Sequence, residues 1–349
     1  MKIVIYTAMI SPHQLPLARE LVKIVGVANF RYVYLKRVDE ERVRMGWAET
    51  SSESWCRQVC VNDVDLETCE ILLSGVRDIS LFERRCRKNL KTYYMSERWF
   101  KPIAGIIPGW VRLFHPPFLR MALQIRHLIR MSDYFRYLHI GKWARCDMLR
   151  ICGHASECKM VPWGYFVATS SEKVSLVKQN DLPLRILWAG RMIYLKHVDT
   201  LVNAMKRLCK GNGPSANYSL TLIGSGPEQN KLISLADGLP VKFMPFLPLD
   251  EVRRQMRLHD VYVFTSDARD GWGAVVSEAL EEGMHVLGTK ETGASSTLLS
   301  SEDLFHATDV ASLARMLEHC LRLKRAGNLS GQGIGEWSVV KAAERLMSI

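Results

Sequence analysis

A chain of 349 residues, 48% hydrophobic and 24% charged, has the composition of a folded protein long enough for two full cores. No apolar run approaches the roughly 20 residues needed to span a bilayer, and the longest stretch, 103–111, is broken by Pro108. The formal charge is +11, and the nine cysteines lack metal-ligand spacing, since Cys56 and Cys60 have no second pair to complete a zinc site.

In chain order, residues 2–6 read as a buried first strand and not as a leader, because no long apolar core or cleavage site follows. A helix is expected over 15–25, and strands over 31–35, 71–74, 91–95 and 135–140. Within this half, the segment from Arg84 to Arg150 holds 15 lysines and arginines against three acids (Glu97, Asp133, Asp147), a local charge of +12. Trp99, Phe100, Trp110, Phe114 and Phe118 are interleaved with these cations. The mixture suits an anionic membrane surface, and it equally suits a buried helix with a solvated basic face. Nucleic acid is disfavoured as a partner, because no recognised binding motif accompanies the charge. Scattered, odd-numbered thiols fit a cytoplasmic protein, peripheral on the inner membrane face if the basic segment meets lipid.

The second half alternates more cleanly. Strands are expected over 185–190, 218–224, 241–246, 261–265 and 285–288, with helices over 198–210, 228–236, 249–258, 274–282 and 310–325. Such alternation implies right-handed βαβ units and parallel sheets. The fold class is therefore α/β, with two Rossmann-like domains facing a cleft. The expected division is 1–166, a polar linker at 167–183, a second domain at 184–328, and a last segment, 329–349. That segment begins with a glycine-rich break and carries a helix over 336–348 that could return to the first domain.

Chemistry concentrates where strands should end. Asp270-Gly271-Trp272-Gly273 is followed by Ala274, Val275 and Glu278, at an expected strand-to-helix turn. Glycines let the backbone approach a ligand, and the first helix amides attract phosphate. Carboxylates, by contrast, accept hydrogen bonds from hydroxyls. Amides for phosphate, bracketed by Asp270 and Glu278, make a site for a nucleotide sugar. Gly190-Arg191, with Lys196 five positions further, adds two cations at the end of another strand, suited to a diphosphate. The turn Gly224-Ser225-Gly226-Pro227 speaks to fold more than to chemistry, while Phe246 and Leu247 could set backbone groups against a base. In the first half His13, Gln14, Glu97 and Arg98 follow strands; His13 is a catalytic candidate, and Gln14, Glu97 and Arg98 are acceptor-side candidates. No metal-ligand cluster, Ser-His-Asp ordering or Walker-type loop is present.

These residues together resemble the GT-B-fold retaining glycosyltransferases of the group 1 type, family 4, including bacterial surface-polysaccharide enzymes. The resemblance is carried by Gly190-Arg191 with Lys196, by 222–228, by 241–247, and by Ser266 with Asp270 through Ala279. Ser11-Pro-His13-Gln14, Ser96-Glu97-Arg98 and 163–166 match more loosely. The resemblance implies that Arg191 and Lys196 neutralise the donor diphosphate and that Glu278 accepts from ribose hydroxyls. It places Asp270 on the hydroxyls of the transferred sugar and the amides of 271–275 on phosphate and sugar. His13 would sit near donor and acceptor. It further implies a nucleoside-diphosphate sugar, most simply a UDP-sugar, as substrate, a glycan or polyprenyl-linked acceptor, and no cofactor or metal. Two positions depart from the pattern. Asp270 replaces the usual glutamate, shortening its reach by one C–C bond, about 1.5 Å. His197 stands where relatives carry glycine. A catalytically weak scaffold that binds a nucleotide sugar, or a nucleotide-sugar epimerase, would carry the same motifs.

Overall fold

A computed structural model describes residues 1–38, 43, 51–60, 63–103, 107–169, 183–211 and 217–349. The expected linker falls mostly on 170–182, outside the described residues. The chain divides into two compact units, Met1–Ala168 with Val339–Ile349, and Thr169–Ser338.

The first unit is built on a seven-stranded parallel sheet in the order β3-β2-β1-β4-β5-β6-β7. Its strands are β1 (Ile3–Thr7), β2 (Phe30–Tyr34), β3 (Cys56–Gln58), β4 (Ile71–Ser74), β5 (Lys91–Ser96), β6 (Phe135–Ile140) and β7 (Met160–Trp163). The described helices are α1 (Leu15–Val25), α2 (Val64–Thr68), α3 (Ile79–Arg87), α4 (Pro116–Met131) and α5 (Lys142–Cys152). Every residue of β1 and β4 is buried, as expected of parallel strands covered on both faces. In α4 the core side is Ala122, Ile125, Leu128 and Ile129, which pack with Phe82, Phe135 and Met148. Arg85 of α3 is fully buried, and its guanidinium donates to the carbonyls of Leu66, Cys69 and Lys91. A buried charge is tolerated there only because those acceptors replace water.

The second unit carries a six-stranded parallel sheet in the order β10-β9-β8-β11-β12-β13. Its strands are β8 (Leu184–Ala189), β9 (Tyr218–Ile223), β10 (Val241–Met244), β11 (Val261–Phe264), β12 (His285–Thr289) and β13 (Leu304–Phe305). They alternate with α6 (Val198–Gly211), α7 (Gln229–Leu235), α8 (Leu249–Leu258), α9 (Ala274–Glu281), α10 (Gly293–Leu298) and α11 (Val310–Arg325). The strand order reverses between β8 and β11, whose pairing joins Ile186 to Val261 and Leu187 to Tyr262. In open α/β sheets, the carboxyl ends of strands at such a reversal form the ligand crevice. At the opposite end, Asp260 is buried between Arg185 Nη2 at 3.0 Å and Lys324 Nζ at 2.8 Å. That cluster staples the starts of β8 and β11 to α11.

The last helix, α12 (Val339–Ser348), packs against α1 in the first unit. It begins three residues later than the sequence expects, because Gly335–Trp337 form a separate 3-10 turn.

Candidate functional site

Of the loops that leave the carboxyl ends of β8 and β11, the first is fixed by backbone contact with its neighbour strand. Gly190 N donates to Ile223 O at 2.9 Å, Met192 N to Ser225 O at 2.8 Å, and Glu228 N to Met192 O at 3.0 Å. The glycines of the β9 turn exist for this approach. A Cβ on Gly224 would meet Gly190 O at 1.9 Å, and one on Gly226 would meet Met192 O at 2.4 Å. Beyond this clamp Arg191 is exposed, and a short 3-10 turn, Tyr194–Lys196, carries the second cation inward.

Lys196 Nζ lies 2.5 Å from Asp270 Oδ2, and it also sits 5.3 Å from the centre of the Phe264 ring. The structure thus joins two site residues that are 74 positions apart in sequence. Burial alone would raise the Asp270 carboxyl, but the Lys196 ammonium and the Gly271 amide, 3.0 Å from Oδ1, outweigh it. The carboxyl therefore titrates below the usual carboxylate range and is ionised at neutral pH.

His197, next in sequence, adopts the left-handed conformation with φ 43°. That explains why a glycine would serve there, since other residues pay roughly 1–2 kcal/mol for this geometry. The histidine offsets the cost through its ring, whose Nε2 lies 3.0 Å from Asp267 Oδ2. Asp267 in turn holds Arg269, and Arg269 covers the exposed Tyr194 ring at 5.1 Å. Sequence reasoning missed this His197–Asp267–Arg269 chain.

After β11 the chain runs through Gly271 and Trp272 to Gly273, which caps α9 with φ 88°. A Cβ on Gly273 would lie 2.6 Å from the Phe264 ring, so only glycine starts the helix at this point. The loop is braced from behind by α10, whose Gly293 N and Ala294 N donate to Gly271 O and Trp272 O at 3.1 and 2.8 Å. Trp272 is buried, with Nε1 donating to Ser277 Oγ at 3.3 Å, so only its backbone is available to a ligand. The first amides of α9, those of Ala274 and Val275, precede the helix's own ladder and are left to an outside acceptor.

One turn further, Glu278 is 5% exposed, and among the described residues no side chain donates to its carboxylate. Burial pushes it up to about 7, with Arg253 drawing it down and Glu282 adding to the rise. Arg253 itself is held by Glu282 at 2.5 Å. Asp270 and Glu278 share one neighbourhood, since both add to the burial that raises the Tyr262 phenol. That phenol donates to Ala189 O at 3.1 Å and so fixes the end of β8. The Ser266 hydroxyl, just past the end of β11, is buried and makes no well-formed hydrogen bond among the described residues, yet it is close enough to Asp270 to help lower that carboxyl. It belongs to the motif that carries the resemblance, although no role was expected of it. Phe246 and Leu247 lie beyond the end of β10, which stops at Met244, two residues earlier than expected; Phe246 is exposed and Leu247 half-buried.

In the first unit His13 stacks on Tyr165 at 6.0 Å, and burial lowers its imidazole to about 4, leaving it neutral at pH 7. Gln14 is buried, its Nε2 3.6 Å from Met95 Sδ, while its Oε1 has no partner among the described residues. Glu97 pairs with Lys101 at 2.8 Å. Arg98 turns toward the Trp143 ring at 5.5 Å and donates to Phe100 O. Asp147 accepts the Trp99 and Phe100 amides, both at 2.9 Å, and fixes the loop that follows.

Comparison with known proteins gives the same picture. Residues 183–322 match the family described as Glycosyl transferases group 1. A sulfoquinovosyl transferase, SQD2 of Arabidopsis thaliana, is 26% identical over 163 residues, covering 45% of this chain. The chain spans about 30% of the length of that curated relative. Among solved structures, HepE of Anabaena in complex with UDP superposes over the full length of both chains, with a TM-score of 0.66 and 16% identity. The lipopolysaccharide outer core galactosyltransferase WaaB superposes over all of this chain and 98% of its own, with a TM-score of 0.65 and 14% identity. Within the second unit, residues 183–322 thus resemble the group 1 glycosyl transferases, and the two parallel-sheet domains have the fold of the GT-B glycosyltransferases.

Proposed function

We propose that the protein is a retaining, metal-independent glycosyltransferase that moves a sugar from a UDP-sugar to a glycan or lipid-linked glycan in polysaccharide synthesis. The observation that carries this reading is Glu278, a buried carboxyl with no side-chain donor among the described residues, one turn inside a glycine-capped helix start. A group in that state calls for a ligand with hydroxyls, and the adjoining amides call for a phosphate. A nucleoside diphosphate supplies both. The solved complexes of HepE with UDP and with UDP-glucose support the choice of nucleotide.

In this mechanism Glu278 accepts from the ribose, and Arg191 and Lys196 take up charge that develops on the departing diphosphate. Asp270 receives hydroxyls of the transferred sugar. Catalysis is then mostly electrostatic, with fixed cations and amides aimed at the leaving group. These cations do the work that a divalent ion does in other transferases, so EDTA should leave turnover intact. His13, neutral and half-buried, contributes a hydrogen bond to donor or acceptor and not a charge. All nine cysteines are free, which suits the reducing cytoplasm we assign to the protein.

The test is a panel of UDP-, GDP-, ADP- and dTDP-sugars with glycan acceptors, with and without EDTA, read as nucleotide release and anomeric configuration. UDP release with retained configuration, insensitive to EDTA and lost in Arg191→Ala while its melting temperature is kept, is the expected result. Inverted product, an EDTA requirement or an active Arg191→Ala would overturn the mechanism. An altered UDP-sugar formed without acceptor would make the protein an epimerase.

A further inference from the structure

We infer that the outward face of α4, with the 3-10 turn before it (Gly109–Phe114), is a docking surface for an anionic lipid bilayer. Between Glu97 and Asp133 the sequence has no acid, six lysines and arginines and two histidines. Folding hides only part of this segment's apolar residues. Of the 19 large hydrophobic side chains exposed among the described residues, seven fall within residues 107–134. Phe114 is 77% exposed, Met131 73%, Leu123 52% and Trp110 47%.

The helix is apolar on two sides. Ala122, Ile125, Leu128 and Ile129 face the core. Leu119, Leu123 and Met131 recur at turn spacing on the other side, beside Arg120 and His127. A single core explains the first stripe and leaves the second without a structural purpose. Leu119, Arg120, Leu123 and His127 also line an open groove of about 460 Å³ against Glu83 of α3. Trp110 and Phe114 meet edge to face, with ring centres 6.1 Å apart, and project together from the preceding turn.

Of the six cations, Lys101 is paired with Glu97 at the start of the segment, but those of the turn and of α4 are not spent on carboxylates. Arg112, Arg126 and Arg130 donate to the backbone carbonyls of Trp99, Ile151 and Cys152. Neither they nor Arg120 make an ion pair among the described residues. Their charge therefore remains to attract an anionic surface.

A bilayer interface answers both features at once, since aromatic and aliphatic side chains enter the acyl boundary while cations meet lipid phosphates. A second copy of the chain would oppose like charges across the same face. No described helix is long and apolar enough to cross a membrane, so the contact would be peripheral. The inference does not depend on the transferase reading.

The experiment is co-sedimentation of the full chain with phosphatidylcholine vesicles, with and without 30% phosphatidylglycerol. Because several cations meet the anionic surface together, binding should tighten at least about tenfold with the anionic lipid and weaken in 0.5 M salt. Trp110→Ser with Phe114→Ser, and separately Arg120→Glu, should each reduce binding to anionic vesicles. Ile24→Ser, an equally exposed position on α1, should not. Circular dichroism confirms that the variants fold. Binding indifferent to phosphatidylglycerol, or unchanged in both face variants, would overturn the inference. So would tighter binding to an oligonucleotide than to vesicles, or a dimer in light scattering that Phe114→Ser dissociates.

Discussion

Replacing Glu278 by glutamine should change stability in a way that depends on pH. The carboxyl rises from its ordinary 4.5 to about 7 on folding, chiefly through burial. An acid whose pKa is raised by folding costs stability once it must ionise. The cost is small below 4.5, grows through the interval, and is complete above 7. At 1.36 kcal/mol per pKa unit it reaches about 3 kcal/mol at pH 8 and less than about 1 kcal/mol at pH 5. Glu278→Gln abolishes the titration. Relative to the parent, the variant should therefore gain about 2.5 kcal/mol between pH 5 and pH 8. A buried amide without a partner costs about 1–3 kcal/mol, but that offset is the same at both pH values and cancels from the difference. Urea unfolding of both proteins at pH 5 and pH 8 reads the quantity directly. The same variant should bind UDP at least about tenfold more weakly at pH 8, because the accepting carboxylate is gone. A stability difference that stays constant with pH would refute the reasoning, since it would mean that Glu278 is not held in a charge-excluding site.

Three further outcomes follow from the geometry. Asp270→Asn removes the anion that holds Lys196, so UDP alone should bind more tightly, measured by titration calorimetry, while turnover falls about 10²-fold for want of a placed sugar. Gly273→Ala meets both a positive φ and the Phe264 ring, and should lower stability by about 2 kcal/mol or more and remove nucleotide binding. Thermal melts with and without UDP check both effects. Asp260→Asn leaves Lys324 buried without its carboxylate and should lower stability by about 3–5 kcal/mol at pH 7. The Asp260 carboxyl is held below its ordinary value, so its contribution is present above about 4 and is lost as pH falls through the folded pKa. The deficit of the variant should therefore shrink in urea melts at pH 3.

The alternation of strands and helices was legible because parallel strands covered on both faces read as short continuous apolar runs, as in 3–7, 71–74 and 261–264. The edges were not. Cys56–Gln58 is only partly buried, Leu304–Phe305 is two residues long, and Met160–Trp163 contains Pro162, which argues against a strand except at an edge. The site divides in the same way. Glycines that seat a helix start and residues that follow strands are local facts, visible in sequence. Which acid Lys196 meets is a long-range fact, and so is the absence, among the described residues, of a side-chain donor to Glu278. The reason for Gly224 and Gly226 was also hidden, because it lies in the approach of the Gly190–Met192 backbone and not in the turn itself.

Two carboxylates eight positions apart thus come to opposite states by environment alone. Asp270 is tied to an ammonium and stays charged; Glu278 is 5% exposed, has no side-chain donor among the described residues, and titrates near neutrality. A diphosphate that recruits Lys196 must compete with Asp270 for it, and Asp270 then needs another partner. A sugar hydroxyl placed at Asp270 supplies one, so nucleotide and sugar should assist each other's binding. The shorter side chain of Asp270 helps this exchange, because an acid with less reach gives up a lysine and accepts a hydroxyl within a narrower range of positions. On the proposed reading, the departure from glutamate bears on selectivity for the bound sugar.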